Sequence, residues 1–392
     1  MKLKTNFYLY FIISFVLFMS CSTKSAESSE AETTLVEVSN VAAVDTIERL
    51  DYEIVFCLDA TGSMSGLITT AKEKIWDIVS GIAQSQEVNS IKLGMIFYRD
   101  KGDVFVTRSY PLTENIDSIY SELLKIQAQG GGDAPESVNQ ALHEAVSDMT
   151  WSVEDHAYRT IFLVGDCPPH MDYNETKYEA SCSLANETHI IINTIKLGMG
   201  CPDAIPHFQK IASLTQGLYK QIGQEAEDYV ISTPFDDSIN YFNFQIDDSK
   251  IYYGSRSEKD IMYLKKGKSI EFYNDASVTS NSARAKFNAS KSGKKNRYGK
   301  NELVQDIIEN KIVLDSIAIG SLPDEFKDLS PEEQKVKVAE IKEERLKNEA
   351  KLDALLKKQD EYIRSEKATS SEKKSFSDDV INTMKKQAEK SK

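Results

Sequence analysis

From residue 52 onward, apolar runs of strand length alternate with stretches in which apolar residues recur every three or four positions. Residues 54–58 form a nearly unbroken apolar run, the mark of a strand buried on both faces. After Thr61-Gly62-Ser63, the residues Ile68, Ala71, Ile75, Ile78, Val79 and Ile82 fall at helical spacing. Residues 93–98 and 104–107 predict two strands joined by the short turn 99–103, hence an antiparallel pair. A helix over 115–127, the run Gly130-Gly131-Gly132 and a helix over 137–149 follow. The pattern then predicts strand 160–164, helix 177–186, strand 190–197, helix 208–215 and a short strand 218–222. Strands alternating with helices imply an α/β fold with a doubly wound, mainly parallel sheet and one antiparallel edge strand. Ligands of such a sheet bind outside the carboxyl ends of its strands. This domain is expected to span residues 50–235.

Residues 236–320 read as a mixed segment. Tyr, Phe and Ile are frequent around 241–253 and 261–273, which points to some strand without fixing a topology. Residues 321–392 read as a helical tail. Ser330-Pro331-Glu332-Glu333 places a capping Ser, Pro at the first helical position and Glu at the third. The helix is expected to continue to about residue 366, with Val338, Ile341, Leu346, Leu352, Leu355, Leu356 and Ile363 as a thin apolar stripe. Arg345 and Asn348 interrupt any heptad, so docking along one seam fits better than a coiled-coil dimer. A last helix over 377–389 carries Val380, Ile381 and Met384.

The beginning of the chain changes the cellular picture. Lys2 and Lys4 precede an apolar run over residues 7–19, followed by Ser20 and Cys21. That run is shorter than the ~20 apolar residues of a spanning helix and fits the core of an export signal over residues 1–20. Leu17-Phe18-Met19-Ser20-Cys21 resembles the bacterial lipobox, in which the Cys thiol is lipidated and becomes the mature N-terminus, although Phe18 stands where Leu is usual. The resemblance implies a lipid-anchored protein of the bacterial cell envelope, held to the membrane through Cys21. The other reading is an ordinary cleaved signal with an incidental Cys. Residues 21–49, rich in Ser, Glu, Thr, Ala and Val, read as a flexible tether.

Composition sets further bounds. The 392 residues contain 47 Lys and Arg against 61 Asp and Glu, a formal net charge of −14, and 41% of them are hydrophobic. The chain therefore has apolar content for a full-sized core, and its acidic balance argues against nucleic acid as a partner. The one basic stretch, from Arg284 to Lys300, is expected to be a solvated loop. After loss of the export segment Cys57, Cys167, Cys182 and Cys201 remain, and an exported protein permits three disulfide connectivities among them.

The residues that carry chemistry stand at the ends of three predicted strands. In Asp59-Ala60-Thr61-Gly62-Ser63 the alternate side chains Asp59, Thr61 and Ser63 can aim three oxygens at one point. Oxygen-only donors suit a hard divalent cation such as Mg²⁺, with Mn²⁺ or Ca²⁺ as other candidates. The second group is Gly132-Asp133-Ala134-Pro135-Glu136, and the third is Gly165-Asp166.

Together these groups resemble a von Willebrand factor type A domain. Its three loops form a metal-ion-dependent adhesion site that binds protein ligands, often through an Asp or Glu completing the metal shell. The resemblance covers roughly residues 52–222. Asp59, Thr61 and Ser63 match the first loop, with Thr61 for the commoner Ser, and Asp166 matches the third. Asp133 falls where many members have Thr, so a third carboxylate is expected to leave the site near −1 and weaken an acidic ligand's approach. The similarity is greatest to the branch with Tyr98-Arg99-Asp100 after the second strand and Asp166-Cys167-Pro168-Pro169-His170 in the third loop. Arg99, Asp100 and His170 are accordingly near-site residues, and His170 is expected to be a hydrogen-bonded loop residue. Members of this branch include bacterial proteins and domains attached to alpha-kinases, but no kinase-like segment is evident. In this fold Cys167 and Cys201 follow neighbouring strands, which makes them the preferred disulfide.

Two other readings stand beside this one. The fold could be right and the metal site structural or empty, leaving a scaffold. Alternatively, Asp59-Ala60-Thr61-Gly62-Ser63 resembles the Asp-Lys-Thr-Gly-Thr segment of aspartyl-phosphate enzymes, in which the Asp is the nucleophile. Those enzymes also require a Lys and a paired-acid loop, and Cys-Pro-Pro follows Asp166 here, so catalysis is not expected.

Overall fold

A computed structural model of the chain describes residues 49–85, 88–153, 156–223, 231–369 and 376–390. The export segment, Cys21 and most of the tether lie outside them.

Six strands form one sheet: β1 (Leu50–Asp59), β2 (Val88–Tyr98), β3 (Thr107–Thr113), β4 (Ala157–Gly165), β5 (Ile190–Leu197) and β6 (Tyr219–Ile222). Their order is β3-β2-β1-β4-β5-β6, and every pairing is parallel except β2 with β3. The helices connecting them are α1 (Leu67–Ala83), α2 (Ile116–Lys125), α3 (Val138–Ser147), α4 (Tyr178–Glu187) and α5 (Ala204–Leu214). The chain reverses its winding between β1 and β4, so the loops after β1, β2 and β4 meet at the switch point, where such sheets bind ligands.

Strand β1 shows why the sheet needs cover on both faces. Leu50, Tyr52, Ile54, Phe56 and Leu58 belong to one core, with α1 and α2, whereas Val55 and Cys57 belong to the other, with α3, α4 and α5. A strand whose alternate residues are all apolar cannot face water on either side.

The antiparallel strand lies later than the sequence predicts. Residues 104–106 remain in the turn, where Arg99 N donates to Val106 O at 2.9 Å and Val104 is 86% exposed. Phe105 lies between the guanidinium groups of Arg99 and Arg108, at 4.4 and 4.5 Å from its ring. These apolar residues imitate a strand, but the pairing edge begins at Thr107.

After the sheet come α6 (Asp236–Asp248), α7 (Arg256–Asp275), α8 (Val278–Ala289), α9 (Lys291–Tyr298), α10 (Leu303–Ile308), α11 (Pro331–Thr369) and α12 (Phe376–Glu389). The strand expected within 236–320 does not form: the described residues there are helical apart from turns and one isolated bridge between Tyr252 and Glu302. The capping box of α11 is present, with Ser330 Oγ and N both donating to Glu333 Oε2 at 2.8 Å. Helix α11 runs along α6.

The basic stretch from Arg284 to Lys300 is not a solvated loop. It forms α8 and α9, and Arg284 and Arg297 are only 1% and 3% exposed. Arg284 grips Asp117 of α2 with Nε and Nη2, at 2.8 and 2.7 Å, and reaches Asp247 of α6 with Nη1 at 3.0 Å. Arg297 Nε donates to the other oxygen of Asp247 at 2.9 Å, and Lys250 stands 3.2 Å from the same atom. Similarly, the Arg345 that interrupts the heptad is buried in a paired contact with Glu302, at 2.7 and 2.9 Å.

Nor is the last helix a separate appendage. Val380, Met384 and Ala388 of α12 complete the core on the α1 face of the sheet. Tyr158 Oη of β4 donates to Gln387 at 2.5 Å, and Gln387 Nε2 donates to Asn193 of β5 at 3.0 Å.

Candidate metal centre

Each loop at the switch point is short and tied to the next. The chain leaves β1 at Asp59, makes one 3-10 turn over Gly62–Met64 and enters α1. Gly62 N donates to Gly130 O at 3.0 Å and Gln129 N to Ala60 O at 3.0 Å, joining the first loop to the glycine run. Arg99 is buried and anchors both, with Nε donating to Ala60 O at 3.0 Å and Nη2 to Gln127 O at 2.8 Å. It therefore holds the loops and is not a ligand. Gly130 has a φ of +84°, and a Cβ there would meet the Asp103 carboxylate at 2.3 Å, so glycine is required.

Four of the expected residues form a continuous ring of oxygens. Thr61 Oγ1 donates to Asp59 Oδ1 at 2.6 Å, and Thr61 N donates to the same atom at 2.8 Å. Thr61 Oγ1 lies 3.0 Å from Ser63 Oγ, which donates to Asp166 Oδ1 at 3.1 Å. Asp59 Oδ2 is buried and makes no hydrogen bond. A Cβ on Gly165 would stand 2.2 Å from Tyr98 Oη and 3.2 Å from Asp59 Oδ2, so only glycine fits beneath this carboxylate. Burial raises the Asp59 carboxyl to about 7; the Thr61 hydroxyl pulls it down and the Asp166 charge adds to the rise.

Asp133 does not join this ring, contrary to the sequence expectation. Its carboxylate is 61% exposed and lies 3.9 Å from His170 Nε2, in a group with Asp100. The acid that faces Asp59 and Asp166 is Glu136, three residues further on, which is 2% exposed and has Oε2 buried without a hydrogen bond. Burial, then the charges of Asp59, Asp100, Asp166 and Asp103, raise its carboxyl to about 9. The same four carboxylates that raise Glu136 are those a cation would offset, so its proton is held most firmly while the crevice carries no positive charge. The sequence carried a signal for Glu136, since it closes the motif that contains Asp133. The loop's path reverses their roles: Glu136 bridges to Pro169, with its N donating to Pro168 O at 2.8 Å, which draws it inward.

Tyr98, which the sequence marks only as part of the Tyr98-Arg99-Asp100 motif, also serves the site. Its buried hydroxyl donates to Val164 O at 3.2 Å and braces the end of β4 beside Asp166. A disulfide joins Cys167 and Cys201, whose Cα atoms are 5.1 Å apart, directly after Asp166. Cys57 and Cys182 are buried thiols. Burial raises both, Cys182 to about 12, so neither is poised as a nucleophile.

An orphaned buried carboxylate oxygen, two hydroxyls and a second carboxylate at one strand-end crevice fit a hard divalent cation. Asp59, Thr61, Ser63 and Asp166 are the residues that would hold it. Fold and site thus define a doubly wound domain with an oxygen-lined crevice at its switch point. Residues 53–234 match the model of the von Willebrand factor A domain family.

A curated relative, an ariadne-like RING finger protein of Acanthamoeba polyphaga mimivirus, is 28% identical over 145 residues. The match covers 37% of this chain and 13% of that protein, so it spans a small part of the relative's length. Among solved structures, an aerotolerance-related membrane protein of Bacteroides fragilis is 18% identical, covering 44% of this chain and 91% of that one, with a TM-score of 0.31. Proximal thread matrix protein 1 from the mussel byssus, with a zinc-occupied metal-ion-dependent adhesion site, is 15% identical (46% and 43% covered, TM-score 0.36). The pilus adhesin SpaC of Lactobacillus rhamnosus GG is 12% identical (46% and 29% covered, TM-score 0.36).

Proposed function

We propose that the chain is a lipid-anchored protein of the bacterial cell envelope whose von Willebrand factor A domain binds Mg²⁺ and recognises another protein. The observation that carries the reading is the Asp59–Thr61–Ser63–Asp166 ring with Asp59 Oδ2 buried and unpaired. A buried ionised oxygen without a partner is costly, and a cation removes that cost. A divalent ion held there offers a coordination position to an Asp or Glu of the partner.

The anchor is supported by Lys2, Lys4, the apolar run over residues 7–19 and Cys21. Binding is preferred to phosphoryl transfer because Cys167 and the two prolines after Asp166 leave no place there for the paired acid of an aspartyl-phosphate enzyme.

The test is a pull-down from envelope extract with wild type and Asp59→Ala, each with and without chelator. Partners lost in both treatments support the reading, and partners retained in both refute a metal-dependent contact. Cys21→Ser separates the anchor from the site: it should release the protein from membranes and leave Mg²⁺ binding unchanged. Labelling of Asp59 by beryllium fluoride would instead favour the phosphoryl-transfer enzyme.

A further inference from the structure

Beside the oxygen ring, the same loops assemble a second group of different chemistry. Asp100 follows β2, Asp133 follows the glycine run and His170 ends the third loop, and one ligand atom from each lies within 4.8 Å of the others. His170 is 3% exposed and its Nε2 is buried without a hydrogen bond. That nitrogen points between Asp100 Oδ2 at 3.3 Å and Asp133 Oδ2 at 3.9 Å.

The surroundings hold the imidazole in one orientation. His170 Nδ1 lies 2.9 Å from Asp172 Oδ1, the ring stacks on Tyr173 at 3.7 Å, and Asn139 Nδ2 donates to His170 O at 2.6 Å. With Nδ1–H given to Asp172, the lone pair of Nε2 faces the two carboxylates. A carboxylate behind a histidine ligand is a recurrent arrangement in zinc proteins. Asp100 is positioned too, accepting from Tyr173 Oη at 3.0 Å and Ser137 Oγ at 3.1 Å.

We propose that Asp100, Asp133 and His170 form a second metal site, distinct from the oxygen ring, which takes Zn²⁺ or a similar borderline cation. Zinc bonds of roughly 2.0–2.1 Å place tetrahedral ligands about 3.3–3.4 Å apart, close to the Asp100–His170 separation. A small movement of the exposed Asp133 closes the other edge. One nitrogen among the donors favours zinc over magnesium, whereas the neighbouring ring offers oxygen alone. Two carboxylates and a neutral imidazole balance a double charge, and the exposure of Asp133 leaves the fourth position open to water or a ligand. The competing account is an imidazolium paired with Asp100, Asp133 and Asp172, without metal.

The purified full chain, stripped by chelator, is titrated with Zn²⁺ against a chromophoric competitor, and bound metal is counted after dialysis. Wild type, Asp133→Asn, His170→Gln and Asp59→Asn are compared. The proposal expects a zinc that Asp59→Asn retains, that Asp133→Asn weakens at least tenfold and that His170→Gln loses. Co²⁺ in its place should show the visible absorption of a four-coordinate ion, abolished by His170→Gln. Because His170 is buried, that variant is read only if its circular dichroism is native. Asp133→Asn, at an exposed carboxylate, keeps the test decisive if it is not. Zinc affinity unchanged in Asp133→Asn, zinc lost only in Asp59→Asn, or no zinc bound by wild type each overturns the second site. None of these outcomes touches the Mg²⁺ reading.

Discussion

Replacing Arg284 by Met asks whether the helices after the sheet are docked by charge. Arg284 spans 167 residues to Asp117 on α2 and 37 to Asp247 on α6, so one side chain joins the two parts of the molecule. Burial by itself would raise the Asp117 carboxyl, but the Arg284 charge, its hydrogen bonds and the Lys250 charge together outweigh this and leave it below the usual range. Without Arg284, Asp117 retains Ser269 Oγ at 2.8 Å, and Asp247 retains Arg297, Lys250 and the Tyr273 hydroxyl. The loss therefore falls mainly on Asp117. Removing one partner of a buried pair costs about 3–5 kcal/mol. Lys265 limits the loss to the lower part of that range. Burial holds its ammonium down to about 8, Asp117 draws it up, and the opposing charges of Lys250 and Arg284 become one fewer. Urea unfolding of Arg284→Met, Asp117→Asn and the double variant measures the pair directly. The double variant should be more stable than the sum of the singles predicts, by about 1.5–3 kcal/mol. Arg284→Met within about 0.5 kcal/mol of wild type, or strict additivity, would refute the docking role.

The metal crevice yields two further expectations. Because burial raises the folded Asp59 carboxyl from the ordinary 3.8 to about 7, the folded metal-free protein is favoured at low pH. Its stability should fall as pH rises from about 4 to 7, by an amount on the order of 4 kcal/mol from Asp59 alone, and Glu136, raised to about 9, adds to the fall and carries it above pH 7. Mg²⁺ should restore it, with affinity rising through the same window and proton release visible by calorimetry in buffers of different ionisation enthalpy. Affinity independent of pH between 5 and 8, as the ~5–8 interval brackets the titration, would contradict the burial of Asp59. Gly165→Ala should abolish Mg²⁺ binding, since the new methyl meets Tyr98 Oη and Asp59 Oδ2. Adding Tyr98→Phe should recover part of it; equal binding by Gly165→Ala and wild type would show the crevice to be looser than described.

Much of the sheet was legible because its residues interact with water in a simple way. Ile54 to Leu58 and Ile190 to Ile192 alternate between two apolar layers, and a run apolar on both faces has few solutions other than a covered strand. Asp59, Thr61 and Ser63 were legible as a group because period-two geometry aligns them before any tertiary contact forms. The segment after the sheet was not legible, for the opposite reason. The buried stripe of α6 is Asp236, Ile239, Asn243, Ile246 and Asp247, at helical spacing but largely polar. A search for apolar periodicity does not register it.

What the sequence alone determined is thus the alternation of strands and helices, the acidic class of protein, and the oxygen donors of the first and third loops. Tertiary structure decided the matters that depend on a distant partner. It made Arg284, Arg297 and Arg345 interior residues, because a charge is buried only where opposite charges already wait, and their partners lie far along the chain or on other helices. It used α12 to close the α1 face of the sheet. It also turned Glu136 inward and Asp133 outward to His170, since the course of a loop between fixed strand ends, and not its composition, sets which carboxylate meets which site.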